Sequence, residues 1–165
     1  MTAAPDILPF LKGFLSQWAR SDFTLDGAAF TCAEQYMMWR KAGLFGDDLM
    51  AGKILAATEP HDHKRLGQAV RGFDQAVWDA EKVTIMTAGT RAKFGQNAGL
   101  ARKLDSTGTA ILVEANPRDF VWGAGLAADD PDILDPARWR GQNLLGQILV
   151  QVRGELRGSS HALRH

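Results

Sequence analysis

The run 31–47, TCAEQYMMWRKAGLFGD, constrains this chain most, because the start, body and stop of a helix are all written into it. Thr31-x-x-Glu34 has the spacing of a capping box, in which the threonine hydroxyl holds an early helix N–H while Glu34 reaches back to the cap. The residues that follow favour helix, and Gly46 offers a stop. Ala33, Tyr36, Met37 and Leu44 fall towards one side, with Glu34, Met38 and Lys41 on neighbouring sides. A carboxylate at such a start, among Tyr, Trp and Met, is either a cap or a catalytic group. Just upstream, Asp26-Gly27 joins two short apolar runs, a hairpin signal because both turn positions need positive φ.

Further along, the pattern predicts helices over 48–57 and from Pro60 towards Val70. A long helix follows over 75–96, capped by Asp74, with Val77, Trp78, Val83, Ile85 and Met86 as apolar contacts. A short helix over 99–105 follows. Two strands are expected, 111–115 and 120–123, joined by the turn Asn116-Pro117-Arg118-Asp119. Residues 127–137 read as a surface loop. The last helix, 144 to about 156, stacks Leu144, Ile148, Val152 and Leu156 on one face, with Asn143 as its N-cap. The N-terminal stretch reads as a loose start, and the polar tail GSSHALRH as frayed. No repeat or linker interrupts the chain, so the expectation is α+β: a mainly helical single domain, 1–165, with a small β-sheet.

Composition narrows the function classes. At 165 residues the chain suits one domain with a proper core. Lys+Arg and Asp+Glu both total 19, so no global field favours DNA, membranes or acidic partners, and any anion site must be local. The single cysteine, Cys32, excludes an internal disulfide framework, fits a reducing cytoplasm and reads as a small packed residue. No signal peptide and no apolar run of about 18 residues is present, so a cytoplasmic protein without a membrane partner is expected.

The sequence holds no phosphate loop, Cys-x-x-Cys pair, zinc helix or nucleophile elbow. His61 and His63 stand at i and i+2, which point apart on a helix, so solvated residues are expected there rather than a chelate. What remains is polar residues beside aromatics. Glu34 lies near Tyr36 and Trp39, Asp79 follows Trp78, and Glu114, Asn116 and Asp119 cluster around a turn with Trp122 beyond. Carboxylates with stacking indoles suit cleavage of a sugar-to-base bond. The plainer account makes the carboxylates caps and the tryptophans core, and spacing alone favours it.

Longer motifs carry a resemblance. Gly13-Phe14-Leu15-Ser16, Phe23 to Gly27, Ala33 to Ala42, Lys64 to Gly67, Val70 to Phe73, Trp78, Lys93-Phe94-x-Gln96-Asn97, Leu112 to Asp119, Trp122-Gly123-x-Gly125-Leu126 and Trp139-x-Gly141 to Gly146 occur in order. Together they resemble the NADAR family, of the YbiA-like kind, over a core of about 13–156. The resemblance implies an N-glycosidase that cleaves the ribose-to-base bond of early riboflavin-pathway intermediates, phosphoribosylamino-pyrimidines, and releases ribose 5-phosphate. Other members remove ADP-ribose from guanine in DNA, and a non-catalytic ADP-ribose-binding module is the third reading. Retention of Glu34, Lys64 and Asp119 together argues against that third reading.

The resemblance makes Glu34, Lys64 and Asp119 catalytic, and Trp78 and Trp122 base-stacking; Tyr36, Glu114, Asn116 and Gln142 complete the substrate-binding set. Lys64 would be a neutral amine forming a Schiff base with the sugar C1, or, in an oxocarbenium route, a phosphate contact. Neither route requires a metal or other cofactor. One departure stands out: the family commonly reads Ser-Asn-Phe where this chain has Ser16-Gln17-Trp18, which bears on what fills that end of the pocket.

Overall fold

The structure, a computed structural model, describes residues 4–163, with side chains as far as residue 159. In chain order its elements are β1 (Ile7–Phe10), β2 (Phe23–Leu25), β3 (Ala28–Phe30), α1 (Ala33–Leu44), α2 (Asp48–Ala56), α3 (Pro60–Gln68), α4 (Gln75–Gly95), α5 (Ala98–Ser106), β4 (Ile111–Glu114) and α6 (Leu144–Leu163). Two 3-10 turns occupy much of the stretch 127–137 expected to be a surface loop, Pro131–Leu134 inside it and Pro136–Arg138 running one residue past its end. The class is α+β, mainly helical with small sheets. The chain divides into two compact units, a central one over Gln17–Asn97 and a flanking one formed by the stretches on either side of it.

In the central unit the hairpin forms where Asp26-Gly27 predicts it. Asp26 has φ +52° and Gly27 φ +80°, and Phe23 stands opposite Phe30 across the antiparallel β2–β3 pair. The Phe23 and Phe30 rings lie 5.6 Å apart, and the fully buried Tyr36 ring meets Phe30 edge-on at 5.1 Å. Aromatic packing of this kind fixes α1 against the hairpin.

The start of α1 differs from the capping box. Its N-cap is Cys32, extended at φ −160°, and no side chain caps it. Gln35, not Glu34, reaches back: its Oε1 accepts the Thr31 N–H at 2.8 Å and the Thr31 hydroxyl at 3.2 Å. Its amide nitrogen donates to the Ile54 and Leu55 carbonyls at the end of α2, at 3.1 and 3.3 Å. One buried amide thus satisfies groups that two helix ends leave over. The Glu34 N–H is taken instead by the Gln17 carbonyl at 3.1 Å. The reach back to Thr31 that a capping box would give to Glu34 is thus made by Gln35.

The other local signals hold. Gly46 closes α1 at φ +71°, Asp47 caps α2 through the Met50 N–H, and Asp74 caps α4 through the Val77 N–H. On α4, Trp78, Ile85 and Met86 are buried, but Val77 and Val83 are 43% and 40% exposed, turned to the sides away from that face. Gly89, unfavourable in mid-helix, lets the Tyr36 ring approach: a Cβ there would meet Tyr36 Cδ1 at 2.8 Å.

In the flanking unit the supposed loose start is β1, pairing in parallel with β4, Ile7 opposite Ile111 and Phe10 opposite Glu114. Residues 120–123 are not a strand. The carbonyls of Phe120, Val121, Trp122 and Gly123 accept the N–H groups of Gln142, Leu144, Leu145 and Asn143. A bent, non-helical segment thus serves the donors around the start of α6, which otherwise lack partners. Asn143, expected as a side-chain cap, has φ +50° and turns its amide onto β4 instead, accepting the Glu114 N–H and donating to the Leu112 carbonyl, both at 3.0 Å. Helix α6 also runs past its expected end near Leu156 to Leu163, while Ile148, Leu149 and Val152 are buried.

This clamp needs a glycine at 146. A Cβ on Gly146 would fall onto the Leu112 carbonyl and the Asn143 amide, neither a flexible chain end. Gly146→Ala is expected to lower the unfolding free energy by about 3 kcal/mol, read from urea denaturation, despite the better helix propensity of alanine.

Candidate active site

Glu34 sits in the first turn of α1 at 6% exposure, its backbone held by Gln17. Lys41 follows seven residues later, two turns along the same face, since seven steps return within about 20°. The Lys41 ammonium is half-buried and lies 4.7 Å from the centre of the Phe73 ring and 5.6 Å from that of Trp78. Desolvation lowers its pKa from the usual lysine range, and the Glu34 charge partly opposes that shift. Phe73 is 43% exposed and meets Phe45 edge-on at 5.4 Å, whereas Trp78 is buried to 8%. An acid, an amine of reduced basicity and an exposed aromatic ring thus stand on one side of α1 and just before α4.

The remaining expected residues of the central unit stand elsewhere. Lys64 is exposed on α3. Tyr36 has no exposed surface; its hydroxyl donates to Asp26 at 2.7 Å and accepts from Arg40 at 2.7 Å, and burial together with the Asp26 bond pushes its pKa up to about 12. Tyr36 and Arg40 belong to the opposite side of α1 from Glu34. There Asp26, Trp39, Arg40, Gly43, Leu44, Asp48 and Ala51 line an open cleft of about 570 Å³ that contains none of the expected site residues.

Behind the Glu34 face lies a buried cluster that sequence reasoning missed. His63, expected in solvent, is fully buried: its Nε2 contacts the Ala57 carbonyl at 2.7 Å and its Nδ1 lies 3.6 Å from Cys32 Sγ. A carbonyl can only accept, so Nε2 carries the proton and Nδ1 is left to accept from the thiol. Burial raises the Cys32 pKa, keeping it a thiol. Lys93 on α4 is also buried, which brings its pKa down to about 8. In the sequence Lys93 stands out only as part of the motif Lys93-Phe94-x-Gln96-Asn97.

In the flanking unit, Asp119 closes the turn after β4, its Oδ1 accepting the Val121 and Trp122 N–H groups at 3.0 and 2.8 Å. Its other oxygen takes no part in that turn, and Trp122 is half-buried. Asn116 accepts the Arg118 N–H at 2.9 Å in an Asx turn. Glu114 ends β4 with its Oε2 buried, and Gly123 passes so close that a Cβ there would lie 3.0 Å from the Glu114 carbonyl. The Gln142 side chain is exposed. Glu114, Asn116, Asp119 and Trp122 are therefore gathered at one end of β4.

The residues 10–157 match the NADAR domain model. N-glycosidase R617 of Acanthamoeba polyphaga mimivirus is 42% identical over 145 residues, 85% of each chain. A riboflavin biosynthesis protein of Vibrio vulnificus is 31% identical over 144 residues, 87% of this chain but 35% of that longer one. The solved structure of Escherichia coli YbiA is similar with a TM-score of 0.79 at 27% identity, covering 99% of this chain and 91% of the other. No helix among the described residues is long and apolar enough to cross a membrane.

Proposed function

The chain belongs to the NADAR family, whose model covers residues 10–157, and on that premise we propose that it is an N-glycosidase releasing the base from phosphoribosylamino-pyrimidines of riboflavin biosynthesis. The observation that carries the reading is the half-buried Lys41 ammonium over Phe73 and Trp78, on the helix face that presents Glu34. The names of the viral N-glycosidase and the Vibrio riboflavin protein support the reaction and the substrate class respectively.

The chemistry follows from the substrate. Its base is joined to C1 through an exocyclic amine, so the sugar ring can open to an imine. Neutral Lys41 adds to C1, forming a C–N bond and giving a proton to the Glu34 carboxylate, which passes it to the base amine as the C1–N bond to that amine breaks. The product is an imine between C1 and Lys41. Water adds to it, Lys41 leaves as the free amine, and ribose 5-phosphate departs as the aldehyde. One water is consumed and no redox change occurs. The amine is assigned to Lys41 in place of the expected Lys64, because Lys41 lies over Phe73 and Trp78 on the Glu34 face whereas Lys64 is exposed on α3.

The Phe73 face, with Trp78, offers the flat base a stacking surface. Within the flanking unit, Asp119 is proposed as a proton-transfer group and Trp122 as an aromatic surface, with Glu114, Asn116 and Gln142 as ribosyl contacts. The test offers purified protein a phosphoribosylamino-pyrimidine and, separately, ADP-ribosylated guanine in DNA, with base and sugar release followed chromatographically. Release of pyrimidine and ribose 5-phosphate is expected. Release of guanine alone would transfer the substrate to the second class, and no release from either would overturn the enzyme reading.

A further inference from the structure

Gln17 combines two observations that no helix-start role explains together. Its carbonyl holds the Glu34 N–H at 3.1 Å, so its backbone fixes the residue proposed as the acid. Its side chain is 8% exposed, and the amide nitrogen Nε2 is buried without a hydrogen-bond partner. A buried amide donor left unpaired is unfavourable in the free protein, and folded interiors retain few of them. An apolar side chain of the same length would fill the space without that cost. The donor therefore fits a group that arrives with a ligand.

The start of α1 indicates what that group is. Glu34 and Lys41 stand about 10 Å apart along the helix axis, at 1.5 Å per residue. The aromatic surface for a base lies at the Lys41 end, beside Phe73 and Trp78. Gln17 lies at the opposite end, where helix N–H groups also favour oxygen acceptors. We propose that Gln17 is a substrate-binding residue whose amide donates to an oxygen of the ribosyl phosphate, making it a determinant of sugar recognition. This deepens the N-glycosidase reading and rests on it for the identity of the sugar.

The experiment titrates ribose 5-phosphate and, separately, ribose into wild type, Gln17→Met and Gln17→Glu by calorimetry, alongside melting temperatures and steady-state turnover. Gln17→Met keeps the side-chain length and removes the donor; Gln17→Glu keeps the shape and reverses it. Ribose 5-phosphate affinity is expected to fall about tenfold in Gln17→Met and further in Gln17→Glu. KM should rise about tenfold with kcat within a few-fold, and the Gln17→Met melting temperature should hold or rise, because an unpaired buried donor has gone. A matching loss with ribose places the bond on a sugar hydroxyl, and a loss confined to ribose 5-phosphate places it on the phosphate. Unchanged affinity in both variants overturns the proposal. So does a lowered melting temperature with kcat and KM failing together, which marks a structural amide. Absence of base release by wild type would sink the N-glycosidase reading, while the ribose 5-phosphate titrations still decide for or against Gln17.

Discussion

Lys41→Met is expected to abolish base release, by roughly a thousandfold or more, whereas Lys64→Ala leaves the rate within a few-fold. The contrast follows from where the two amines sit. A lysine attacks carbon only as the free amine. Lys64 is exposed, while Lys41 is half-buried over two rings and its pKa is lowered by desolvation. The free-amine fraction grows as pH rises through that lowered pKa. The wild-type rate should therefore climb with pH and level off below the ordinary lysine range of about 10.4. Borohydride added during turnover should trap the sugar on the protein as a mass adduct, present in Lys64→Ala and absent in Lys41→Met. Persistence of the adduct in Lys41→Met would move the imine to another amine, with Lys93 the next candidate because burial brings its pKa down to about 8. Methionine keeps the length of the Lys41 stem and removes a partly desolvated charge. A melting temperature that holds or rises would then separate lost chemistry from lost fold.

The elements legible in the sequence are those decided within a few residues. Asp26-Gly27, Gly46, Asp47 and Asp74 each act on their own neighbours, and each does what its spacing says. The misread elements depend on distant partners. β1 is four residues including Pro9, without alternation, and becomes a strand through β4, about a hundred residues later. Residues 120–123 have strand composition, yet their carbonyls serve the start of α6. Asn143 has the right place for a cap and is drawn to β4 instead. At the site, Glu34 is visible in the sequence as a carboxylate on a helix start, but the one-residue offset that gives the reach back to Thr31 to Gln35 comes from Gln35 bridging to the end of α2. Lys41 was within reach of sequence reasoning, two turns from Glu34 on one face. What singles it out is Phe73, which stands in the connection between α3 and α4 and meets Lys41 through packing that helical periodicity does not show.

Glu34→Gln provides the second large effect and a check that Glu34 and Lys41 act together. The Thr31 N–H is held by Gln35 and the Glu34 N–H by Gln17, and glutamine keeps the size and shape of the Glu34 side chain. The substitution should leave the melting temperature within a few degrees while turnover falls about a hundred- to ten-thousandfold, the usual contribution of a positioned acid or base. The residual rate carries the more specific signature. In wild type the Glu34 charge holds the Lys41 pKa up against the lowering by desolvation. Glutamine removes that charge and leaves burial unopposed, so the Lys41 pKa falls further and its free amine appears at lower pH. The rising limb of the pH–rate profile should therefore shift to lower pH in Glu34→Gln, even as the plateau drops. A plateau that drops with the limb unmoved would show that the limb belongs to another group. A limb displaced to higher pH would contradict the placement of Glu34 and Lys41 in one site.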